Sequence, residues 1–194
     1  MAKHKTFGWS RISLAVAATA VSSAGFLAGC EKGGVGDPCL PEDEYQGAFG
    51  GYSEKEVNVE SRSFQCETRV CLVNKFKGRV SCKYGTANGQ KCEAPDKAGD
   101  VTVPVAAQLH GRPPSDSVYC SCRCAGAQKE APYCDCPSGF DCKKLIDDIG
   151  LGNSQLAGSY CVRSSTEREV EAVNPCVNDK SSRFYCGEAE DFYR

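Results

Sequence analysis

The segment Tyr119–Cys142 reads Y-C-S-C-R-C-A-G-A-Q-K-E-A-P-Y-C-D-C-P-S-G-F-D-C and holds six of the chain's fifteen cysteines. Sulfurs at this density support three kinds of chemistry. They chelate a soft ion such as Cu(I) or Zn(II), exchange with other thiols, or cross-link the chain. Cys120, Cys122 and Cys124 alternate with Ser121 and Arg123. On an extended strand, period-two geometry puts all three on one face, where they could hold a soft metal or carry thiol redox chemistry. The C-x-x-C spacing of thiol oxidoreductases occurs nowhere in the chain, which weakens the redox reading. Cross-linking fits the composition best. The cysteines after Cys30 number fourteen, an even count: Cys39, Cys66, Cys71, Cys82, Cys92, Cys120, Cys122, Cys124, Cys134, Cys136, Cys142, Cys161, Cys176 and Cys186. They are read as disulfide cysteines.

Other catalytic chemistry finds little to work with. His110 is the only histidine after residue 29, so a multi-histidine zinc centre is excluded. No G-x-S-x-G elbow accompanies it, and no phosphate-binding or dinucleotide fingerprint is present. Carboxylates are plentiful, but no spacing singles out an acid–base pair. Glu42, Asp43 and Glu44 read as a solvated acidic patch, and Asp96 with Asp100 is too sparse for a calcium loop. The expectation is a non-enzymatic protein with no cofactor.

The N-terminus addresses the chain. Met1–Arg11 carries Lys3, Lys5 and Arg11 and no acid, and Ile12–Gly29 is uncharged and rich in Ala, Val and Leu. It closes on Leu27-Ala28-Gly29-Cys30. In that order the parts resemble a bacterial lipoprotein precursor, with residues 1–29 as signal peptide. The resemblance implies cleavage before Cys30 and lipidation of Cys30 with palmitate-class chains, several of which give stable membrane anchoring. Glu31 follows in place of the aspartate linked to inner-membrane retention, which implies the outer membrane.

Without residues 1–29, 20 basic side chains stand against 25 acidic ones. No basic run marks a nucleic-acid surface. Residues 30–38, with Gly33, Gly34, Gly36 and Pro38, read as the lipidated N-terminus and a tether. Residues 39–194 read as a cysteine-rich domain, divisible into subdomains 39–100 and 101–194. The fold class expected is small and disulfide-rich, mainly β hairpins with one or two short helices. Cross-links would offset a thin core.

The elements that must position the sulfurs follow from local pattern. Val57-Asn58-Val59 and Tyr160-Cys161-Val162 read as short strands. Arg69–Phe76 and Arg79–Tyr84 flank Lys77-Gly78 as a hairpin, which would bring Cys71 to Cys82 and leave Cys66 and Cys92 to pin its flanks. Arg69, Lys75, Lys77, Arg79 and Lys83 would solubilise that unit. Val101–Leu109 is β-prone, demoted by Pro104. A second hairpin would place Cys122 opposite Cys136 and Cys124 opposite Cys134, sending Cys120 to a distant partner. Cys142, Leu145, Ile146 and Ile149 have helical spacing, predicting a helix over Asp141–Ile149. Ser165–Val173 has capping-box spacing. Phe184, Tyr185, Phe192 and Tyr193 make the C-terminus aromatic and are expected to pack on the fold.

Cys134-Asp135-Cys136-Pro137-Ser138-Gly139-Phe140 resembles the ending of an epidermal-growth-factor-like module, though Cys142 follows too soon for that spacing. At the level of the whole chain, the Leu-Ala-Gly-Cys quartet, the cysteine density and the Y-C-S-C-R-C / C-D-C-P-S-G-F pattern resemble small cysteine-rich lipoproteins of myxobacteria. That likeness implies an interaction or assembly component with a protein partner in the envelope, in surface contact or gliding motility. It carries over no catalytic residue.

Overall fold

A computed structural model describes residues 33–95, 99–150, 156–167 and 174–187. All belong to one compact unit, Lys32–Arg194. The fold is disulfide-rich and mainly β. Strands β1 (Val57–Glu60), β2 (Val70–Asn74) and β3 (Val118–Ser121) form one antiparallel sheet in that order. Strands β4 (Arg123–Ala125), β5 (Phe140–Ile146) and β6 (Gly158–Arg163) form a second, ordered β4-β6-β5. Among the described residues, the one α-helix is the four-residue α1, Pro114–Ser117. Short 3-10 turns cover Glu42–Tyr45, Ala87–Gly89 and Ser164–Glu167. The last overlaps Ser165–Val173, where capping-box spacing suggests a short helix and of which 168–173 lie outside the described residues.

The run Val70-Cys71-Leu72-Val73 is apolar at every position because β2 is a central strand covered on both faces. Cys71 and Val73 join Val118 and Cys120 in a core with Leu40, Tyr52, Phe76 and Val80. Leu72 and Tyr119 point the other way and pack with Val162, Phe140 and Leu145 of the second sheet. Alternating sides of two strands therefore build two cores.

Arg163 fastens the sheets together. Its guanidinium lies over the rings of Tyr119 and Phe140, 5.3 and 4.9 Å from their centroids, and donates to the Gly36 carbonyl at 2.9 Å. Its backbone amide donates to the Tyr119 hydroxyl at 2.8 Å. Gly36 has φ +99°, and a Cβ there would meet the Phe140 ring at 2.9 Å, so both conformation and space call for glycine. The glycine-rich stretch read as a tether is docked from Gly33 onward. Gly33 bridges Cys66, and Pro38 bridges Tyr119.

Three expected elements do not form. Residues 79–84 are not the partner of β2, which lies between β1 and β3. Gly78 does turn the chain, at φ +84°, but it pairs with Tyr52. The chain then enters a buried polar clamp. Arg79 and Glu44 are both 0% exposed at the side chain. The Arg79 guanidinium donates to the carbonyls of Glu44, Gln46 and Phe49. The Glu44 carboxylate accepts from the amides of Val80 and Ser81 and from the Ser81 hydroxyl. Glu44 is thus no part of a solvated patch, nor Arg79 a solubilising charge. Hydrogen bonds satisfy both, which is what permits their burial. Burial still dominates at each end: it pushes the Glu44 carboxyl above the usual carboxylate range and lowers Arg79.

The helix expected over Asp141–Ile149 is instead strand β5, paired with β6 from Phe140↔Arg163 to Ile146↔Gly158. A disulfide from Cys142 to Cys124 ties it to β4, on the far side of β6 in the sheet. Tertiary pairing and the cross-link override the helical spacing. As a strand, the segment delivers Phe140 and Leu145 to the second core and leaves Lys143 and Lys144 exposed. The third failure is Val101–Leu109, which forms no strand; isolated bridges involve only Leu109.

Candidate functional site

All fourteen cysteines after Cys30 are paired: Cys39–Cys71, Cys66–Cys120, Cys82–Cys92, Cys122–Cys134, Cys124–Cys142, Cys136–Cys161 and Cys176–Cys186. Cys120 does take a distant partner, 54 residues away. The other specific pairings expected from the two hairpins do not form. Cys71 bonds Cys39, not Cys82. Cys122 bonds Cys134 and Cys124 bonds Cys142, displacing the Cys122/Cys136 and Cys124/Cys134 register. The reason is topological. β4 pairs with β6, not with the 134–136 segment, which forms no ladder with it and gives it a backbone hydrogen bond from the Cys134 amide to the Arg123 carbonyl at 3.1 Å.

Nor do Cys120, Cys122 and Cys124 share a face. The chain leaves the first sheet after Ser121 and enters the second at Arg123, with Cys122 at the crossing. Cys120 lies with Cys39 and Cys66, Cys122 with Cys134 and Cys161, and Cys124 with Cys136 and Cys142. The sulfurs within each trio lie within 4.8 Å of one another. A three-sulfur ligand set at 120, 122 and 124 is therefore not assembled in the oxidised fold.

What the structure assembles is a ladder of three disulfides around the second sheet. Cys124–Cys142 neighbours Cys136–Cys161, the Cys124, Cys136 and Cys142 sulfurs lying within 4.8 Å of one another. Cys136–Cys161 in turn touches Cys122–Cys134: the Cys161 sulfur is 3.5 Å from that of Cys122 and 3.7 Å from that of Cys134. Burial is graded along it. Cys142 is exposed, Cys124, Cys134 and Cys136 are half-buried, and Cys122 and Cys161 are buried. Beside it, burial raises the pKa of the Tyr160 phenol. The middle rung escaped sequence reading, although Tyr160-Cys161-Val162 was legible as a strand and needed only a partner sheet.

The remaining candidates do not converge. His110 is exposed, its ring edge set against Phe184 at 6.1 Å between centroids. An open cleft of about 380 Å³ by the Cys82–Cys92 loop is lined by Thr86, Gln90, Lys91, Asp100 and Thr102 among others. It brings together one lysine and one aspartate, but no histidine and no second carboxylate. Cys30, Asp96, Phe192 and Tyr193 lie outside the described residues. Comparisons with protein-family models, curated proteins and solved structures found no match for the chain. Among the described residues, no helix is long and apolar enough to cross a membrane.

Proposed function

We propose that the chain is a lipoprotein precursor, anchored in the outer membrane through acyl chains on Cys30, whose folded part is a non-catalytic interaction or assembly component of the cell envelope. The observation that carries this reading is the odd cysteine. Fourteen cysteines pair among themselves, and the fifteenth closes Leu27-Ala28-Gly29-Cys30. A sulfur with no intramolecular partner is available for acylation. The scaffold fits the role: dense cross-links hold loops in fixed positions and reduce the ordering cost of binding a protein partner. Surface contact or gliding motility is the process implied by the family resemblance.

Anchoring at Cys30 has a geometric consequence. Gly33 is already hydrogen-bonded to Gln65 and Glu67. Three residues span at most about 10 Å, so the body sits close to the bilayer, with the Phe64–Arg69 loop on that side.

The test is mass analysis of the mature N-terminus, with antibody labelling of intact and permeabilised cells. An acylated Cys30 and signal on intact cells support surface contact. An unmodified Cys30 removes the anchor, and signal only after permeabilisation removes the surface role. A soft-metal role through Cys120, Cys122 and Cys124 needs three free sulfurs, and each is held in a separate disulfide.

A further inference from the structure

We propose that the three disulfides around the second sheet form a thiol–disulfide exchange relay, entered at Cys142 by an external thiol and ending in a free thiol at Cys134. The proposal is independent of membrane anchoring and of any protein partner. It rests on two observations together: sulfurs of successive rungs within 4.8 Å of one another, and a single exposed end.

Exchange proceeds by attack of a thiolate on a disulfide sulfur, so access selects the first target. Cys142 is the exposed member of the six. A low-molecular-weight thiolate attacks the Cys142 sulfur. The Cys142–Cys124 bond breaks, a mixed disulfide forms on Cys142, and the electron pair leaves on Cys124 as thiolate. The Cys124 sulfur lies within 4.8 Å of Cys136. Its attack forms Cys124–Cys136 and releases the Cys161 thiolate. That sulfur is buried and 3.5 Å from Cys122. Attack there forms Cys122–Cys161 and expels the Cys134 thiolate. A thiolate is disfavoured in apolar surroundings, and Cys134 is half-buried where Cys161 and Cys122 are buried, so the charge moves toward solvent at the last step. The number of disulfide bonds is unchanged through these three steps. A second external thiolate then attacks the mixed disulfide and leaves with the first as a small disulfide. The net change is a two-electron reduction that leaves thiols at Cys142 and Cys134.

The first sheet supplies an internal control. The sulfurs of Cys39, Cys66 and Cys120 also lie within 4.8 Å of one another, but Cys39–Cys71 and Cys66–Cys120 are buried at all four residues. Proximity without an exposed end gives no entry, so these bonds resist exchange until the fold opens.

The experiment uses the full chain, purified with its disulfides intact, and glutathione as the thiol. After brief exposure the reaction is quenched in acid, free thiols are alkylated under denaturing conditions, and the linked peptides are mapped. Expected are glutathione on Cys142, an equal amount of alkylated Cys134, new Cys124–Cys136 and Cys122–Cys161 links, and intact Cys39–Cys71 and Cys66–Cys120. A thiol that stays on Cys124, a first adduct on any other cysteine, or no reaction before denaturation overturns the relay. In the paired variant Cys122→Ser with Cys134→Ser, the last rung is gone and the alkylated position should move to Cys161. A thiol found on Cys124 in that variant overturns transfer through the middle rung.

Discussion

Cys71 and Cys120 stand directly opposite one another across the β2–β3 ladder, and neither is bonded to the other. Cys71 reaches out to Cys39 and Cys120 to Cys66. The second sheet repeats the arrangement. Cys142 and Cys161 face each other across β5–β6 but bond Cys124 and Cys136. Backbone hydrogen bonds already join the facing strands, so a bond between the facing sulfurs would duplicate an existing tie. Bonding outward closes separate loops instead.

The first prediction follows from loop length. Cys66–Cys120 spans 54 residues and Cys82–Cys92 spans 10. In the chain-entropy picture, removing the longer link by paired alanine substitution costs about 4 kcal/mol, and removing the shorter about 3 kcal/mol. Urea unfolding of the two variants checks the order. Equal losses, or a larger loss at Cys82–Cys92, would refute it.

The second prediction concerns the buried clamp. Arg79→Ala leaves the Glu44 carboxylate without its cation and frees three carbonyls, so it should cost roughly 3–5 kcal/mol. Replacing both residues by apolar ones, Arg79→Met with Glu44→Leu, should recover part of that loss. A double variant less stable than Arg79→Ala would show that the net charge pairing, not the stranded carboxylate, sets the cost.

A third prediction reads the same site through pH. Burial raises the folded pKa of Glu44 above its ordinary value. The folded state therefore binds that proton more tightly than the unfolded chain does. The associated stability is fully present below the unfolded pKa and is lost as pH rises through the folded one. Glu60 is shifted the same way by burial. Glu44→Gln should reduce the fall in stability across that acidic window, leaving the part due to Glu60. Denaturation midpoints of wild type and variant at a series of pH values decide it, and parallel curves would count against it.

Local pattern made the strands around Val57, Arg69 and Tyr160 legible, because β-branched and aromatic residues clustered there. The cysteine count made the cross-linked character legible. The pairings were not, because they depend on β3 and β4 entering different sheets on either side of Cys122, and no local spacing encodes that. Asp141–Ile149 misled because Cys142, Leu145, Ile146 and Ile149 fit the helical period, whereas the pairing with β6 that makes the segment a strand is not local, and Phe140 was the unread contact. Glu44 and Arg79 misled because charged residues are almost never fully buried unless paired, and the pair is 35 residues apart in sequence.

The fourth prediction tests the fastening between the sheets. Arg163→Ala removes the cation from two aromatic rings and the donor to Gly36. Tyr119→Phe removes the acceptor for the Arg163 amide and keeps the ring. The first should cost about 2–3 kcal/mol from the combined ring and hydrogen-bond contributions, the second about 1 kcal/mol. Thermal unfolding of both variants measures the difference, and a larger loss in Tyr119→Phe would place the fastening in the hydroxyl.

The last prediction bears on the proposed anchor. Phe64 is 74% exposed, with the Arg69 guanidinium over its ring at 4.2 Å. It neighbours Gln65, whose carbonyl takes the Gly33 amide at 2.8 Å. Gly33 is three residues from Cys30, so under the proposed anchor an exposed ring and a cation beside it suit the headgroup layer, where amphipathic aromatics and arginine both favour residence. The chain's single tryptophan, Trp9, falls within the proposed signal peptide, so Phe64→Trp would be the sole tryptophan of the mature protein. In vesicles of anionic lipid, its emission should shift to the blue and be quenched by brominated acyl chains. Vesicle-bound protein with unquenched emission would reject the contact at Phe64 while leaving the anchor in place. Protein that fails to bind vesicles would reject the anchor itself.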